Sequence, residues 1–173
     1  MWENLKQKIV QINDWPRPGI VCYDIAPLLK DAAMFKEIIE QLAQPYQGQK
    51  IDLVVGIEAR GFVIASALAY RLGVGMAMIR KKNKLPPPTV MQEYSYEYAA
   101  QIIEMQEGAI TPGQRVIIVD DTLATGGTMA AAVKLVKKLG GEIVGLSFIV
   151  EMTPMAGRER LRGCTIHSLV TFD

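Results

Sequence analysis

One segment in the second half of the chain carries most of the information about its architecture: Val116-Ile117-Ile118-Val119-Asp120-Asp121-Thr122-Leu123-Ala124-Thr125-Gly126-Gly127-Thr128. Its first four residues are β-branched and apolar, as in a strand that is buried on both faces. Two carboxylates and a run of small residues follow, and the apolar spacing predicts a helix over residues 128–139. A strand, a glycine-rich turn and a helix in this order are typical of parallel sheets in α/β proteins.

The same alternation extends to both sides of this segment. Strands are predicted at residues 51–57, 76–79, 143–150 and 166–170, and a pair of strands or a hairpin at 94–106. Helices are predicted at 2–12, at 35–42 with Asp31 as N-cap, at 62–72 and, as a short turn, at 157–161. We therefore predict an α/β fold with a mostly parallel twisted sheet flanked by helices. Ligands bind beyond the carboxyl ends of such strands, which directs attention to Glu58, Arg80 and Asp120.

Composition limits the class of protein. The chain has 173 residues, of which 50% are hydrophobic and 21% charged, and this predicts one folded domain over residues 1–173. Its net charge of +1 gives no general attraction to nucleic acid or to an anionic membrane, so neither is expected as a partner. No apolar run approaches about 18 residues, and we expect a soluble, cytoplasmic protein.

Cysteine and histidine are too scarce for several kinds of site. Cys22 and Cys164 are the only cysteines, and they are far apart in no metal-binding spacing. Two cysteines this far apart argue against a disulfide framework, and they exclude a zinc site built on cysteines. His167 is the single histidine, which excludes paired-histidine metal motifs; it and Cys164 fit the core or the surface better than a site.

The glycine-rich turn has the chemistry of an anion cradle beside a sugar site. Free backbone N–H groups at the start of the helix, with the hydroxyls of Thr125 and Thr128, can bind a phosphate, and Gly126 and Gly127 allow it to approach the backbone. The preceding carboxylates only accept hydrogen bonds, which suits sugar hydroxyls. Together these groups predict a site for a ribose 5-phosphate. A tight strand-to-helix turn with solvated acids is the alternative interpretation.

Two common nucleotide motifs are absent. No Gly-Lys-Ser/Thr ending follows the glycines, so the turn is not a Walker A loop. Gly73-Val74-Gly75 is followed by Met78 where the dinucleotide fingerprint needs a third glycine. The site is therefore expected to bind neither ligand class through those motifs.

These thirteen residues resemble the phosphoribosyl pyrophosphate (PRPP) motif of the type I phosphoribosyltransferases. Four other parts of the chain resemble the members of that family that act on adenine: Asp14-Trp15-Pro16-Arg17-Pro18-Gly19-Ile20, Gly56-Ile57-Glu58-Ala59-Arg60-Gly61-Phe62, Ile79-Arg80-Lys81-Lys82 with Lys84-Leu85-Pro86, and Tyr94-Ser95-Tyr96-Glu97-Tyr98. The likeness covers nearly the whole chain.

The resemblance implies a type I phosphoribosyltransferase fold with a small N-terminal hood at about residues 1–30. It implies a purine-salvage transferase that converts adenine and PRPP into AMP and pyrophosphate. Mg²⁺ is expected to arrive with PRPP rather than to occupy a protein cage, and a homodimer is expected. The loop at residues 81–91 is expected to be mobile and to close over PRPP.

Site residues follow from the same resemblance. The 5-phosphate and ribose are assigned to Ala124, Thr125, Gly126, Gly127, Thr128, Asp120 and Asp121, and the pyrophosphate to Glu58, Ala59, Arg60, Arg80, Lys81 and Lys84. Arg60 and Glu97 are the expected catalytic residues, and Glu97 would assist proton movement at the purine. Alternatively, the basic residues after Ile79 are a solvated charge run, and Glu97 is an exposed strand residue.

Adenine is assigned to Val21, Cys22 and Tyr23, with the backbone N–H and C=O of Val21 pairing with the base edge. Relatives usually carry an aromatic and then a basic residue after the position of Val21, and Cys22 cannot stack on a purine. Tyr23 is the alternative source of a ring. Pro87 and Ala99 stand where relatives usually have glycine.

Two other functions are open to a chain with these features. One is the same transfer to another purine base, such as hypoxanthine or guanine. The other is a regulatory protein that senses PRPP and binds nucleic acid, for which 173 residues leave no second domain and +1 net charge gives little support. Turnover with free adenine distinguishes an enzyme from a PRPP sensor.

Overall fold

The computed structural model describes residues 2–96 and 99–173. Within these residues, a central sheet has seven strands: β3 Leu53–Ile57, β4 Gly75–Lys81, β5 Thr89–Tyr96, β6 Ala99–Gln106, β7 Arg115–Leu123, β8 Glu142–Met152 and β9 Ile166–Phe172. Their order across the sheet is β5-β6-β4-β3-β7-β8-β9. The strands β4, β3, β7, β8 and β9 pair in parallel, and β6 and β5 continue the sheet in antiparallel pairing. The predicted mostly parallel α/β sheet is confirmed.

In the described part of the chain, five α-helices accompany the sheet: α1 Trp2–Lys8, α2 Ala26–Lys30, α3 Ala32–Ala43, α4 Arg60–Leu72 and α5 Gly127–Lys138. Short 3₁₀ turns lie at Gln44–Tyr46, Glu107–Ala109, Thr153–Met155 and Gly157–Leu161. The side chain of Asp31 accepts hydrogen bonds from the N–H groups of Ala33 and Met34, so it caps α3 as the sequence predicts. Gly73 ends α4 in the left-handed conformation, with φ of 70°.

Strand β7 is buried on both faces, and its residues alternate between two cores. Ile117 and Val119 pack in the cluster that contains α3 and α4 residues such as Leu42. Val116 and Ile118 pack in the cluster that contains the apolar face of α5. Helices therefore cover the sheet on both sides, and its carboxyl edge is the place left for a ligand.

The N-terminal segment differs from its predicted helix. Leu5 and Ile9 are buried, as the helical spacing requires, but α1 ends at Lys8. The strand β1, Val10–Asn13, follows at once and pairs antiparallel with β2, Val21–Asp24. The spacing of the apolar residues fits a helix through Ile12. Residues 10–13 instead form a strand because β2 pairs with them, and local spacing does not show this pairing.

Strand β7 is longer than its apolar run. Asp120 and Asp121 lie within the strand rather than after it, because pairing with β8 continues through Leu123 and Glu151. The two carboxylates therefore lie on a rigid element at the edge of the sheet. Within the described ranges, no helix is long and apolar enough to cross a membrane.

Candidate active site

Three adjoining cavities lie at the carboxyl edge of the parallel strands. The first has a volume of about 600 Å³, and it is lined by Trp15, Ile57, Glu58, Ala59, Arg60, Ile79, Arg80, Lys81, Tyr94, Gln101, Ile103, Asp120, Asp121 and Thr128. The second, of about 480 Å³, is lined by Trp15, Pro16, Gly19, Ile20, Val21, Cys22, Tyr23, Arg60, Asp121, Thr122, Ala124, Met152 and Met155. The third, of about 130 Å³, is enclosed by Asp120 and the turn of residues 122–129.

An ion pair stands where the first two cavities meet. Arg60, the first residue of α4, places its Nε 2.7 Å from Oδ2 of Asp121 on β7. Burial opposes the charge of Arg60, but Asp121 and the Cys22 thiol beside the guanidinium outweigh it and raise the pKa of Arg60. Thr122 also donates its hydroxyl to Asp121, over 3.1 Å. The sequence analysis assigns Arg60 to the pyrophosphate of the substrate, whereas in this structure Arg60 forms an ion pair with Asp121.

Asp120 is in a different environment from its neighbour. Burial, followed by the charge of Asp121, raises its pKa well above the ordinary range of an aspartate. The Asp121 N–H donates to Oδ1 of Asp120 over 2.9 Å. The two adjacent carboxyls can therefore accept hydrogen bonds with different strengths.

The loop after β3 is tied to the end of β4. Arg80 donates from Nε and Nη2 to the two carboxylate oxygens of Glu58, each over 3.1 Å, and the Lys81 N–H donates to the same carboxylate over 3.0 Å. The hydrogen bonds from Arg80 are the main cause that lowers the pKa of Glu58. The peptide bond between Glu58 and Ala59 is cis.

The turn between β7 and α5 forms the third cavity. Gly126 has φ of 76°, and it precedes the first turn of α5. Among the residues that the structure describes, no side chain caps this helix start, so its N–H groups face the cavity without a side-chain acceptor. A buried helix start of this kind favours an anion.

The second cavity has a mainly apolar wall that includes three sulfur-containing side chains. The strand β2 supplies Val21, Cys22 and Tyr23, and Met152 and Met155 face them. The Tyr23 ring packs on Phe172, with centroids 4.1 Å apart and the planes tilted by 32°. One face of the Tyr23 ring is therefore already covered within the protein, and the mainly apolar lining of the second cavity suits an apolar ligand.

Comparison with known proteins identifies this arrangement. The family model described as "Phosphoribosyl transferase domain" matches residues 26–169. The adenine phosphoribosyltransferase of Acidobacterium capsulatum is 52% identical over 171 residues, which cover 99% of this chain and 94% of that protein. The chain belongs to the adenine phosphoribosyltransferase family. The enzyme of Solibacter usitatus is a further relative, 49% identical over 98% of both chains.

Solved structures agree with this phosphoribosyltransferase fold. The crystal structure of adenine phosphoribosyltransferase from Thermoanaerobacter pseudethanolicus superimposes with a TM-score of 0.97 at 47% identity, covering 99% of this chain and 100% of that one. The Saccharomyces cerevisiae enzyme, solved with an imino-altritol bisphosphate and adenine, gives 0.92 at 35% identity, covering 98% of both chains. The type I fold is thereby shown for this phosphoribosyltransferase.

The structure brings most of the predicted residues of the enzyme to these cavities. The first cavity is lined by Glu58, Ala59, Arg60, Arg80, Lys81, Asp120, Asp121 and Thr128, the second also by Val21, Cys22, Tyr23 and Ala124, and the third also by Thr125, Gly126 and Gly127. Lys84 is not among the lining residues; its backbone N–H and C=O are hydrogen-bonded instead. Glu97 lies outside the described residues.

Sequence reasoning missed two aromatic residues of the site. Trp15, 55% exposed, lines both large cavities of the phosphoribosyltransferase. Tyr94 lies against the start of α5, and its hydroxyl accepts a hydrogen bond from Thr128 over 3.3 Å. Both residues occur within motifs that the sequence singled out, but their spacing alone gives no sign that they face a cavity.

Proposed function

We propose that the cavities divide the substrates of an adenine phosphoribosyltransferase between them, with PRPP in the first and third and adenine in the second. The observation that carries this assignment is the Arg60–Asp121 pair at the junction of an anion-binding cavity and an apolar one. The anomeric carbon of the ribose would lie at this junction. Adenine would then approach this carbon from the second cavity while pyrophosphate leaves it on the side of the first. The reaction yields AMP and pyrophosphate.

The third cavity would hold the 5-phosphate. Its N–H groups and the Thr125 and Thr128 hydroxyls supply donors, and the field of α5 favours the negative charge. Asp120 and Asp121 would then accept hydrogen bonds from the ribose hydroxyls. Binding of these hydroxyls would compete with Arg60 for Asp121, and would release the guanidinium toward the pyrophosphate.

The pyrophosphate would lie in the first cavity, beside Arg60, Arg80 and Lys81. Bond cleavage moves negative charge onto the pyrophosphate, and these cations stabilise it as it develops. Mg²⁺ would be held through the oxygen atoms of PRPP, because among the described residues no three ligating side chains lie together to form a protein site. When bound with PRPP, the ion supplies further neutralisation of the leaving group.

Adenine would lie in the second cavity against β2. A backbone N–H and C=O at Val21 match the N1 acceptor and the amino donor of adenine, and hypoxanthine would present the opposite pattern. Glu97 stays the proposed carboxylate that assists proton movement at the purine. The relatives in the comparison are named for adenine, so neither transfer to another purine nor a PRPP sensor is favoured.

A homodimer is part of the proposal. Val63 and Tyr70 lie seven residues apart on one face of α4, where Tyr70 is 90% exposed, and Met78 is an exposed apolar residue on the neighbouring strand β4. A second copy covering this face would remove the apolar surface from water. Tyr70→Glu should shift the protein from two chains to one in sedimentation, and Tyr70→Phe should stay a dimer.

We place the enzyme in the cytoplasm. Cys22 and Cys164 are both free thiols, which fits a reducing compartment. Adenine and PRPP as substrates are consistent with that location.

A screen of purine bases tests the function. The purified chain is incubated with PRPP, Mg²⁺ and adenine, hypoxanthine or guanine, and pyrophosphate release is followed. Rapid release with adenine alone is expected. Preference for hypoxanthine would contradict the pairing at Val21, and PRPP binding without turnover of any base would contradict the enzyme.

A further inference from the structure

Glu104, on β6, is a buried carboxylate that lies opposite Arg80 of β4 in the sheet. Only 1% of the surface of Glu104 is exposed to solvent. Over residues 2–96 and 99–173, the other buried carboxylates, Asp121 and Glu151, pair with Arg60 and Arg158, whereas no ion pair forms at Glu104. A buried charge is costly unless hydrogen bonds replace water, so a residue that keeps one needs a reason.

Hydrogen bonds from one loop replace the water around this carboxylate. The N–H groups of Lys84 and Leu85 donate to Oε1 over 2.8 and 2.9 Å, and the Thr89 hydroxyl donates to Oε2 over 3.2 Å. Burial alone would raise the pKa of Glu104, but these bonds outweigh it and lower the pKa below its ordinary value. The carboxylate is therefore charged at neutral pH, and it holds the loop between β4 and β5.

The loop connects Glu104 to the first cavity. The carbonyl of Lys84, whose N–H Glu104 holds, accepts a hydrogen bond from Nη1 of Arg80 over 2.9 Å. Glu58 holds the Nε and Nη2 atoms of Arg80. Arg80 is thus fixed on two sides, and its remaining N–H groups are available to a ligand in the cavity.

We propose that Glu104 is a positioning residue for the pyrophosphate site: it fixes the Lys84 peptide, and through the Lys84 carbonyl it fixes the guanidinium of Arg80. This inference rests on the proposed function, because that function assigns Arg80 to the pyrophosphate. Glu104 itself does not touch the substrate. In this structure the loop between β4 and β5 is anchored by Glu104, and the anchored loop orients Arg80.

Glu104→Gln tests the proposal with a side chain of the same shape. The amide oxygen can still accept from an N–H group, but the charge that strengthens these bonds is lost. We expect the dissociation constants of PRPP and pyrophosphate to rise about tenfold, while that of AMP, which has no pyrophosphate, stays within about twofold. Trypsin should cut faster after Lys82 and Lys84. Thr89→Val, which removes the hydroxyl donor only, should give a smaller change in the same direction.

Equal weakening of PRPP and AMP binding by Glu104→Gln, together with a lower melting temperature, would mean a structural role only and would overturn the proposal. A double-mutant cycle with Arg80→Ala separates the remaining outcomes. If Glu104 acts through Arg80, Glu104→Gln has no further effect on PRPP binding in the Arg80→Ala background, and additive effects would overturn the positioning role. Unchanged PRPP binding in Arg80→Ala alone would instead contradict the assignment of Arg80 in the proposed function, and would remove the positioning role with it.

Discussion

At the scale of single residues, the site contains two adjacent aspartates, Asp120 and Asp121, whose surroundings differ. Asp120 and Asp121 are adjacent on β7, yet one has a raised pKa from burial and the other is ion-paired with Arg60. Side chains alternate along a strand, so adjacent residues face opposite sides of the sheet edge. In the proposed function, this alternation would let the two consecutive carboxylates bind different hydroxyls of one sugar.

Replacing both carboxylates by amides should weaken PRPP binding sharply. Each charge-assisted hydrogen bond to a hydroxyl contributes roughly 1.5–3 kcal/mol, so Asp120→Asn with Asp121→Asn should raise the dissociation constant of PRPP at least about a hundredfold. Calorimetric titration of PRPP measures it. Glu142→Gln, at the opposite end of the neighbouring strand β8, is the control and should bind normally. An unchanged constant in the double variant would remove both residues from the site.

Cys22→Phe should tighten adenine binding without changing which base is chosen. The Tyr23 ring packs on Phe172, so one face of this β2 ring is already covered. A ring at position 22 adds a stacking contribution of about 1–3 kcal/mol, which corresponds to about a tenfold lower KM for adenine. The ratio of adenine to hypoxanthine turnover should not change, since the backbone sets it.

Cys22→Ser is the matched control, since it keeps the volume and adds no ring. Its kinetics should stay close to those of the wild type. Weaker adenine binding by Cys22→Phe would mean that the space beside Arg60 must stay open.

The residues that the sequence could predict are those whose chemistry is local. Asp120 and Gly126 belong to one continuous motif, and both line the cavities. Glu104 could not be predicted, because it lies in an alternating strand segment where a solvated face is the ordinary expectation. Its burial depends on a loop that returns from about twenty residues earlier, and no local pattern shows this contact.

At the scale of elements, the turn that is proposed to bind the 5-phosphate packs against the 3₁₀ turn Gly157–Leu161. A Cβ built on Gly157 would overlap the carbonyl oxygen of Ala124, and one built on Gly126 would lie 2.5 Å from the carbonyl oxygen of Gly157. The two backbones therefore touch with no room for a side chain on either. Arg158, next in the chain, is fixed by Glu151 on β8, with Nη2 and Oε2 2.7 Å apart.

Gly157→Ala should displace the turn that precedes α5. We expect a loss of about 1–3 kcal/mol in the free energy of unfolding from overpacking, and a PRPP dissociation constant raised about tenfold or more. Urea unfolding and PRPP titration measure the two effects. Gly108→Ala is the control, because a Cβ on Gly108 meets nothing within 4 Å. Normal PRPP binding in Gly157→Ala would show that the contact does not shape the turn.

Elements are predictable where a pattern is long and regular. The helix α5 and the strand β7 follow from periodicity, and their observed bounds differ from expectation by a few residues at the ends. The hairpin of β1 and β2 does not, because its strands are four residues each and its pairing is not encoded by spacing. This hairpin carries the residues proposed to bind adenine, so the proposed base site depends on a strand pairing that local spacing does not show.

At the scale of the whole molecule, a buried tyrosine links the end of α3 to the strands β8 and β9. Tyr46 follows α3, and its hydroxyl lies 2.7 Å from Oγ of Ser147 on β8, while its ring meets that of His167 on β9 edge-on. Burial raises the pKa of Tyr46 to about 12. An unfolded tyrosine ionises near its ordinary value of about 10.

The stability of the protein should therefore fall in alkali through this residue. The raised pKa stabilises the folded state fully below pH about 10, and this contribution is lost as pH rises toward about 12, by about 2–3 kcal/mol in all. Tyr46→Phe should be less stable at neutral pH by about 1 kcal/mol, since Ser147 loses its partner, but should lose less between pH 10 and 12. Urea midpoints across this range measure the difference. Tyr70→Phe, on an exposed ring, should keep the wild-type loss.

The meeting of the two large cavities at Trp15, Arg60 and Asp121 has a consequence for inhibitor design. The cavities are two adjacent sites with one ion pair between them, so a base and a phosphorylated group joined by a short linker would reach both at once. Once one half is bound, the other is present at a high effective concentration, and overall affinity can exceed that of either half by about 10²–10⁴. A linker that cannot pass beside the Arg60–Asp121 ion pair would lose this gain entirely.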